Sequence, residues 1–294
     1  MPIIEPSVFL DTWVLKNLAR GAYPDALATL TSLVDRGKVR TIVTLDTVED
    51  FCADGDQPRA LREAGFVDKL NPLWMPPGIG ILHREAYSEF RRLTNTPPLP
   101  DPFPCTGPIA ALAQWIEDCP CTPSHGDMHQ LASLYDVGAS FAREVEYTYR
   151  VELLNPVIGR REMGKLRALF AQNRTWARQH QVNWEKYFRQ TWVRLLAEPP
   201  ALKPNADLAR LSQETKLERM PALDVMIGLE RAWHKDKKAK AKLSDMIDRE
   251  HLALLPYVSI FICDRQQGSL IHQAKLAGRC ARVYDSIDAF LRAM

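Results

Sequence analysis

Hydrophobic positions at both ends of the chain recur with the periods of an α/β protein. Val8-Phe9-Leu10 is a short apolar run closed by Asp11. Val14, Leu15 and Leu18 follow at helical spacing, and Gly21 is a helix stop. Leu27, Leu30 and Leu33 mark a second helix that ends near Gly37. The stretch from Val39 to Leu45 is rich in β-branched residues and predicts a strand. Asp46, with Glu49 three residues on, reads as the capping box of the next helix. Strand, helix, helix, strand, helix is the opening of a parallel sheet. The C-terminal end has the same grammar. Tyr257 to Cys263 is almost unbroken apolar sequence, as in a strand covered on both faces. Asp264-Arg265 ends it, Gln266 to Leu276 is helical, and Gly278 stops that helix. Cys280 to Tyr284 predicts a final strand, and Ser286 caps a last helix through Leu291.

The middle of the chain follows a different rule. Residues 97–104 are a stiff, proline-rich linker. Helical patterns then run over 109–119, 128–154, 162–180 and 184–196, and no strand pattern interrupts them. Pro199-Pro200 and Pro204 close the region. A sheet that takes strands from both ends of the chain requires a discontinuous core. Residues 1–96 and 222–294 therefore form an α/β core, a parallel sheet with helices on both faces. Residues 97–221 are expected to be a large all-helical insertion.

Composition excludes several classes. The chain has 294 residues, 46% hydrophobic and 25% charged, ordinary for a globular protein. A disordered tail, a collagen-like fibre and a small disulfide scaffold are excluded. The longest apolar run, near Leu254 to Cys263, is too short to cross a bilayer, so no membrane partner is expected. The first residues lack the basic and apolar segments of a secretory signal. The six unevenly spaced cysteines read as reduced thiols, which implies a cytoplasmic protein. No Gly-x-Ser-x-Gly elbow, no Gly-x-Gly-x-x-Gly turn after the first strand and no P-loop occurs.

The candidate chemistry lies in acids. Ligands of open parallel sheets bind at the carboxyl ends of the strands. The first strand ends in Asp11 and the Tyr257 strand in Asp264. The second runs toward Glu49 and Asp50, and Asp245 and Asp248 precede the Tyr257 strand. Carboxylates crowded at one edge repel each other unless a cation neutralises them. Oxygen-only ligands suit Mg²⁺ or Mn²⁺, and such a site commonly activates a water against a phosphodiester. The bland alternative is that each strand-end acid caps a helix.

Phe9-Leu10-Asp11-Thr12-Trp13-Val14-Leu15 resembles the opening motif of PIN-domain nucleases. The stretch from Asp248 through Tyr257-Val258 to Ile262-Cys263-Asp264-Arg265 resembles the C-terminal motif of one PIN-like branch. The resemblance covers about residues 5–70 and 222–294. It implies a PIN-like, flavodoxin-like α/β fold that binds Mg²⁺ or Mn²⁺ and cleaves nucleic acid as an endonuclease, RNA in preference to DNA. Carried over, Asp11 is the first acid. Asp50 fits the second position, with Glu49 as its close rival. Asp248 is the third and Asp264 the fourth, with Asp245 assisting. Trp13 stands where the family often has Asn, and Ser259 where many relatives have Asp. These departures keep a second reading open, a catalytically silent PIN-like scaffold that binds nucleic acid or a protein partner.

Charge distribution adds a partner. Between Arg160 and Arg194 there are nine basic residues and two acids, while the whole chain is only +2. Arg160, Arg161, Lys165, Arg167, Arg174 and Arg178 are the candidate nucleic-acid-binding residues, because cations neutralise phosphates. The bland reading of the same segment is a solvated helix face. The sequence leaves the oligomeric state open. Cys119, Cys121, His125 and His129 are soft ligands, but Cys119-Pro120-Cys121 is tighter than the usual zinc spacing, so no zinc is expected there.

Overall fold

The computed structural model describes residues 6–52, 55–116, 140–152, 183–197, 208–235, 250–276 and 282–294. Among them, five strands form one sheet: β1 (Ser7–Leu10), β2 (Arg40–Val43), β3 (Leu73–Trp74), β4 (Ile260–Ile262) and β5 (Arg282–Tyr284). Their order is β3-β2-β1-β4-β5, and all neighbours are parallel. The first three strands therefore step outward from β1. The chain then returns to place β4 on the other side of β1, with Phe9 opposite Phe261. This order corrects the flavodoxin-like expectation, because a flavodoxin-type sheet has its third strand beside the first. Here β3 adds to the outer edge of β2.

Strand side chains alternate between two cores. Val8, Leu10, Ile260 and Ile262 face one; Phe9 and Phe261 face the other. The first core is covered by α1 (Thr12–Ala19), α2 (Pro24–Asp35), α3 (Leu45–Cys52) and α4 (Gln57–Lys69). The second is covered by α5 (Gly78–Leu93) and by elements from later in the chain. The region read as an insertion contributes α6 (Pro108–Ile116), α7 (Phe141–Glu152), α8 (Trp184–Ala197) and α9 (Leu208–Glu214). These helices pack directly on the sheet layers. Phe141 of α7 lies edge-on to Phe51 of α3 at 5.0 Å, and Trp192 of α8 is fully buried in the second core. Cys105 pairs with Trp74 at the free edge of β3. The chain ends with α10 (Pro221–Lys235), α11 (Arg265–Gln273) and α12 (Ile287–Leu291).

Several expected boundaries shift for local reasons. Tyr257 lies in a 3-10 turn, Leu255–Tyr257, because Pro256 lacks the N–H a central strand needs, and β4 starts at Ile260. The helix expected from Asp46 begins at Leu45. Thr44 and Thr47 form its box: Thr44 N donates to Thr47 Oγ1 at 3.2 Å, and Thr47 N donates to Thr44 Oγ1 at 3.2 Å. Ser286 does cap α12, accepting from Ala289 N. No helix among the described residues is long and apolar enough to cross a membrane.

One buried carboxyl ties the two parts of the chain together. Glu85 of α5 accepts from Ala222 N at 2.7 Å and Leu223 N at 3.0 Å, capping α10 from another element. The Tyr257 hydroxyl donates to the same carboxyl. Burial outweighs these three donors and pushes Glu85 up to about 7. Its folded pKa is thus raised above the usual 4.5. The corresponding stability is present below about pH 4.5 and is lost as pH rises through 7. Against Glu85→Gln, which does not titrate, wild type is expected to lose about 3 kcal/mol of relative stability between those pH values. Urea unfolding of both proteins at each pH measures the difference. A constant difference would mean that folding does not raise the Glu85 pKa.

Candidate active site

The order of strand addition reverses between β1 and β4. Helix α1 leaves β1 toward one face, and α11 leaves β4 toward the other. The carboxyl ends of these two strands therefore border the crevice where such folds bind ligands. Asp11 follows β1 and is 4% exposed. Its N–H donates to Ile262 O of β4 at 2.8 Å. It occupies the N-cap position of α1, yet its carboxylate makes no capping bond. Asp264 behaves oppositely. It is half-buried, and its Oδ1 accepts from Gln267 N at 2.7 Å, so it caps α11. The bland reading of strand-end acids holds for Asp264 and fails for Asp11.

Opposite Asp11 stands His251. It is fully buried, with its ring 5.3 Å from that of Phe9 and its Nδ1 3.6 Å from Asp11 Oδ1. Burial alone would lower its pKa. The carboxylates of Asp11, Asp46 and Asp50 overcome this and push it up to about 9. The carboxylates around it thus favour the charged form of the imidazole. Asp46 and Glu250 form a second pair beside it. Asp46 Oδ2 accepts from Gly78 N at 2.7 Å, capping α5, and its carboxyl hydrogen-bonds that of Glu250. Burial raises the pKa of Asp46 although His251 and these hydrogen bonds oppose it. Burial, then the charges of Asp46 and Glu49, push Glu250 up to about 8. The backbone approach here requires glycine. A Cβ on Gly78 would lie 2.3 Å from the Glu250 carbonyl oxygen.

Of the acids named from sequence, Asp50 is half-buried on α3, and its field reaches His251. Its backbone oxygen accepts from Lys16 Nζ at 2.8 Å. Glu49 is exposed, and its field reaches Glu250. Asp245 and Asp248 lie outside the described residues, as do Arg160, Arg161, Lys165, Arg167, Arg174 and Arg178 and the Cys119–His129 cluster. Among the described residues, no group of three or more His, Cys, Asp or Glu side chains converges as a metal site.

Sequence reading did not place Asp46 and Glu250 in the site. The signal for Asp46 was its spacing from Glu49 and Asp50, which sets three acids on one face of α3. Glu250 carried no local signal, because its partner is two hundred residues away. Thr12 Oγ1, both amide atoms of Gln267 and both ring nitrogens of His251 are buried with no hydrogen-bond partner among the described residues. Thr12 opens α1 and Gln267 lies in the first turn of α11, one on each side of the crevice. An unmet buried polar group costs about 1–3 kcal/mol, which bound ligand or solvent can offset. Comparison with protein-family models, with curated proteins and with solved structures gives no match.

Proposed function

We propose that this chain is a PIN-like, metal-dependent nuclease, with RNA preferred over DNA as substrate. The observation that carries the reading is Asp11. It is a buried carboxylate at the switch point of a parallel sheet, and it is withheld from the helix it precedes. Asp11, Asp50 and Asp264 do not converge as a group of three; each offers hard oxygen donors of the kind that suit Mg²⁺ or Mn²⁺. Asp264 retains one carboxylate oxygen beyond its cap. Asp248 and Asp245 complete the proposed set, with Glu49 at its exposed edge. Bound Mg²⁺ or Mn²⁺ supplies phosphate charge neutralisation and activation of the attacking water. The chain's own groups orient that chemistry. Asp11 is fixed by its backbone bond to β4, and the N-termini of α1 and α11 face the crevice with positive dipole ends suited to phosphate. Residues 97–221 are the proposed insertion, with Arg160, Arg161, Lys165, Arg167, Arg174 and Arg178 on the nucleic-acid backbone.

A second reading, the silent scaffold, draws on His251. The His251 imidazole already faces Asp11, so that acid has a counter-charge without a metal. A nuclease assay with metal titration separates the two. Purified protein is expected to cleave single-stranded RNA with Mg²⁺ or Mn²⁺. It should stop with chelator, and resume when either ion is restored without zinc. Binding without cleavage at every metal concentration favours the scaffold.

A further inference from the structure

Residues 97–104 lie between α5 and α6, and five of the eight are proline. Every residue from Thr96 to Pro104 either is a proline or precedes one. The ring fixes φ in the former, and its bulk bars the helical region to the latter. The strip is therefore confined to extended conformations, of which polyproline II has three residues per turn. Burial follows that period. Leu99 and Pro102 are buried and Cys105 is half-buried, so every third residue faces the protein. The other two rows face outward. Pro97, Pro100 and Phe103 form one; all three are exposed, Phe103 by 51%. Pro98 and Asp101 form the other, with half-buried Pro104 at its end.

The inner side is fastened along its length. Leu99 N donates to Ser88 Oγ of α5 at 3.2 Å, and Arg84 Nε of α5 donates to Pro100 O at 2.9 Å. Gln114 of α6 takes both backbone groups of Phe103, accepting from its N–H at 3.1 Å and donating to its carbonyl at 2.7 Å. Cys105 is paired with Trp74 of β3 through two bonds of 2.7 Å. Arg84 and Gln114 are buried, so two costly polar side chains are committed to holding this backbone. What remains outside is a rigid apolar ridge. Its row of Pro97, Pro100 and Phe103 repeats about every 9.3 Å. From Leu93 to Pro108 the only charged residue is Asp101.

We propose that this ridge docks a second protein through a groove lined by aromatic side chains. Such grooves take polyproline II segments by packing proline rings between aromatic rings. With three residues per turn, two rows enter a groove and the third stays outside it. Here the third row is the one that packs on this protein's own core, and both rows that a groove needs face solvent. The ridge is already ordered, so binding does not have to pay for its conformation. Asp101 sets one negative charge among the outer rows, which calls for a cation on the rim of the groove. The inference is independent of the strand-end acids and of any nuclease activity.

The test uses the full-length chain, with isolated SH3, WW and EVH1 domains as aromatic-groove probes and a peptide of residues 95–106 as competitor. Fluorescence anisotropy should show at least one of these domains binding the chain, and the peptide should displace it. The free peptide must be ordered on binding, so it should bind the same domain severalfold more weakly than the chain does. Pro100→Ala combined with Phe103→Ser should weaken chain binding roughly tenfold or more. Urea unfolding should show that variant still folded, because both side chains face outward. Asp101→Asn should cost less and should flatten the salt dependence. If no domain binds chain or peptide, the proposal is overturned. If the peptide binds and the chain does not, the ridge is inaccessible in the folded protein and the proposal falls as well. Binding that survives the double substitution would place the contact elsewhere on the chain. A dimer that the double substitution dissolves, with no domain bound, would assign the ridge to a contact between copies and overturn the proposal.

Discussion

Asp11→Asn is expected to abolish Mg²⁺- or Mn²⁺-dependent cleavage, by about a thousandfold or more. Loss of one charged metal ligand removes several kcal/mol of transition-state stabilisation, and each 1.36 kcal/mol is tenfold in rate. Asp264→Asn should also inactivate. The two variants should differ in stability. Like-charge repulsion alone expects both to be as stable as wild type or more so. The structure changes that expectation for Asp11, whose carboxylate is in ion-pair range of a buried imidazole. Asp11→Asn should therefore lose about 1–3 kcal/mol in chelator. Asp264→Asn retains an oxygen for the Gln267 N–H and should stay within about 1 kcal/mol. Cleavage of a labelled oligonucleotide and urea unfolding report the two quantities. Full activity in either variant would remove that acid from the chemistry.

The strands other than β3 were legible because short apolar runs ended in turn or capping residues. Ser7–Leu10, Arg40–Val43 and Arg282–Tyr284 fall within or close to their expected spans. Leu73–Trp74 was not legible, since two residues carry no period. Its place depends on pairing with β2, a non-local contact. The helix over Leu45–Cys52 was legible, but its cap was not. Threonines at positions 44 and 47 and acids at 46 and 49 offer the same box spacing, shifted by two. Burial decides between them, because Asp46 has another donor at Gly78. The sites show the same division. Asp11 and Asp264 look alike in sequence, each an acid between strand and helix. Only the geometry separates a carboxylate that caps from one that does not. Glu85 on α10 and Glu250 on Asp46 are long-range pairs with no local pattern.

His251→Leu is expected to destabilise the protein more than any other single change at the site, by about 3–5 kcal/mol in chelator at neutral pH. Leucine fits the apolar side of the position, against Phe9 in the second core. Lost packing is therefore a small part of the effect. The large part is electrostatic. Asp11 is buried and Asp50 half-buried, and Asp46 is buried with only Gly78 N–H and neighbouring side chains to stabilise its charge. Removing the cation leaves these carboxylates facing each other without compensation. The double variant His251→Leu with Asp11→Asn tests this origin. If the ion pair is the cause, the second substitution should restore part of the lost stability, and the two losses should not add. If they add, His251 acts by packing alone and Asp11 is not its partner. Metal gives a further discriminant. Mg²⁺ or Mn²⁺ at the acids would supply the missing positive charge, so saturating ion should raise the unfolding midpoint of His251→Leu more than that of wild type. An equal rise in both would show that the imidazole and the ion act on different carboxylates.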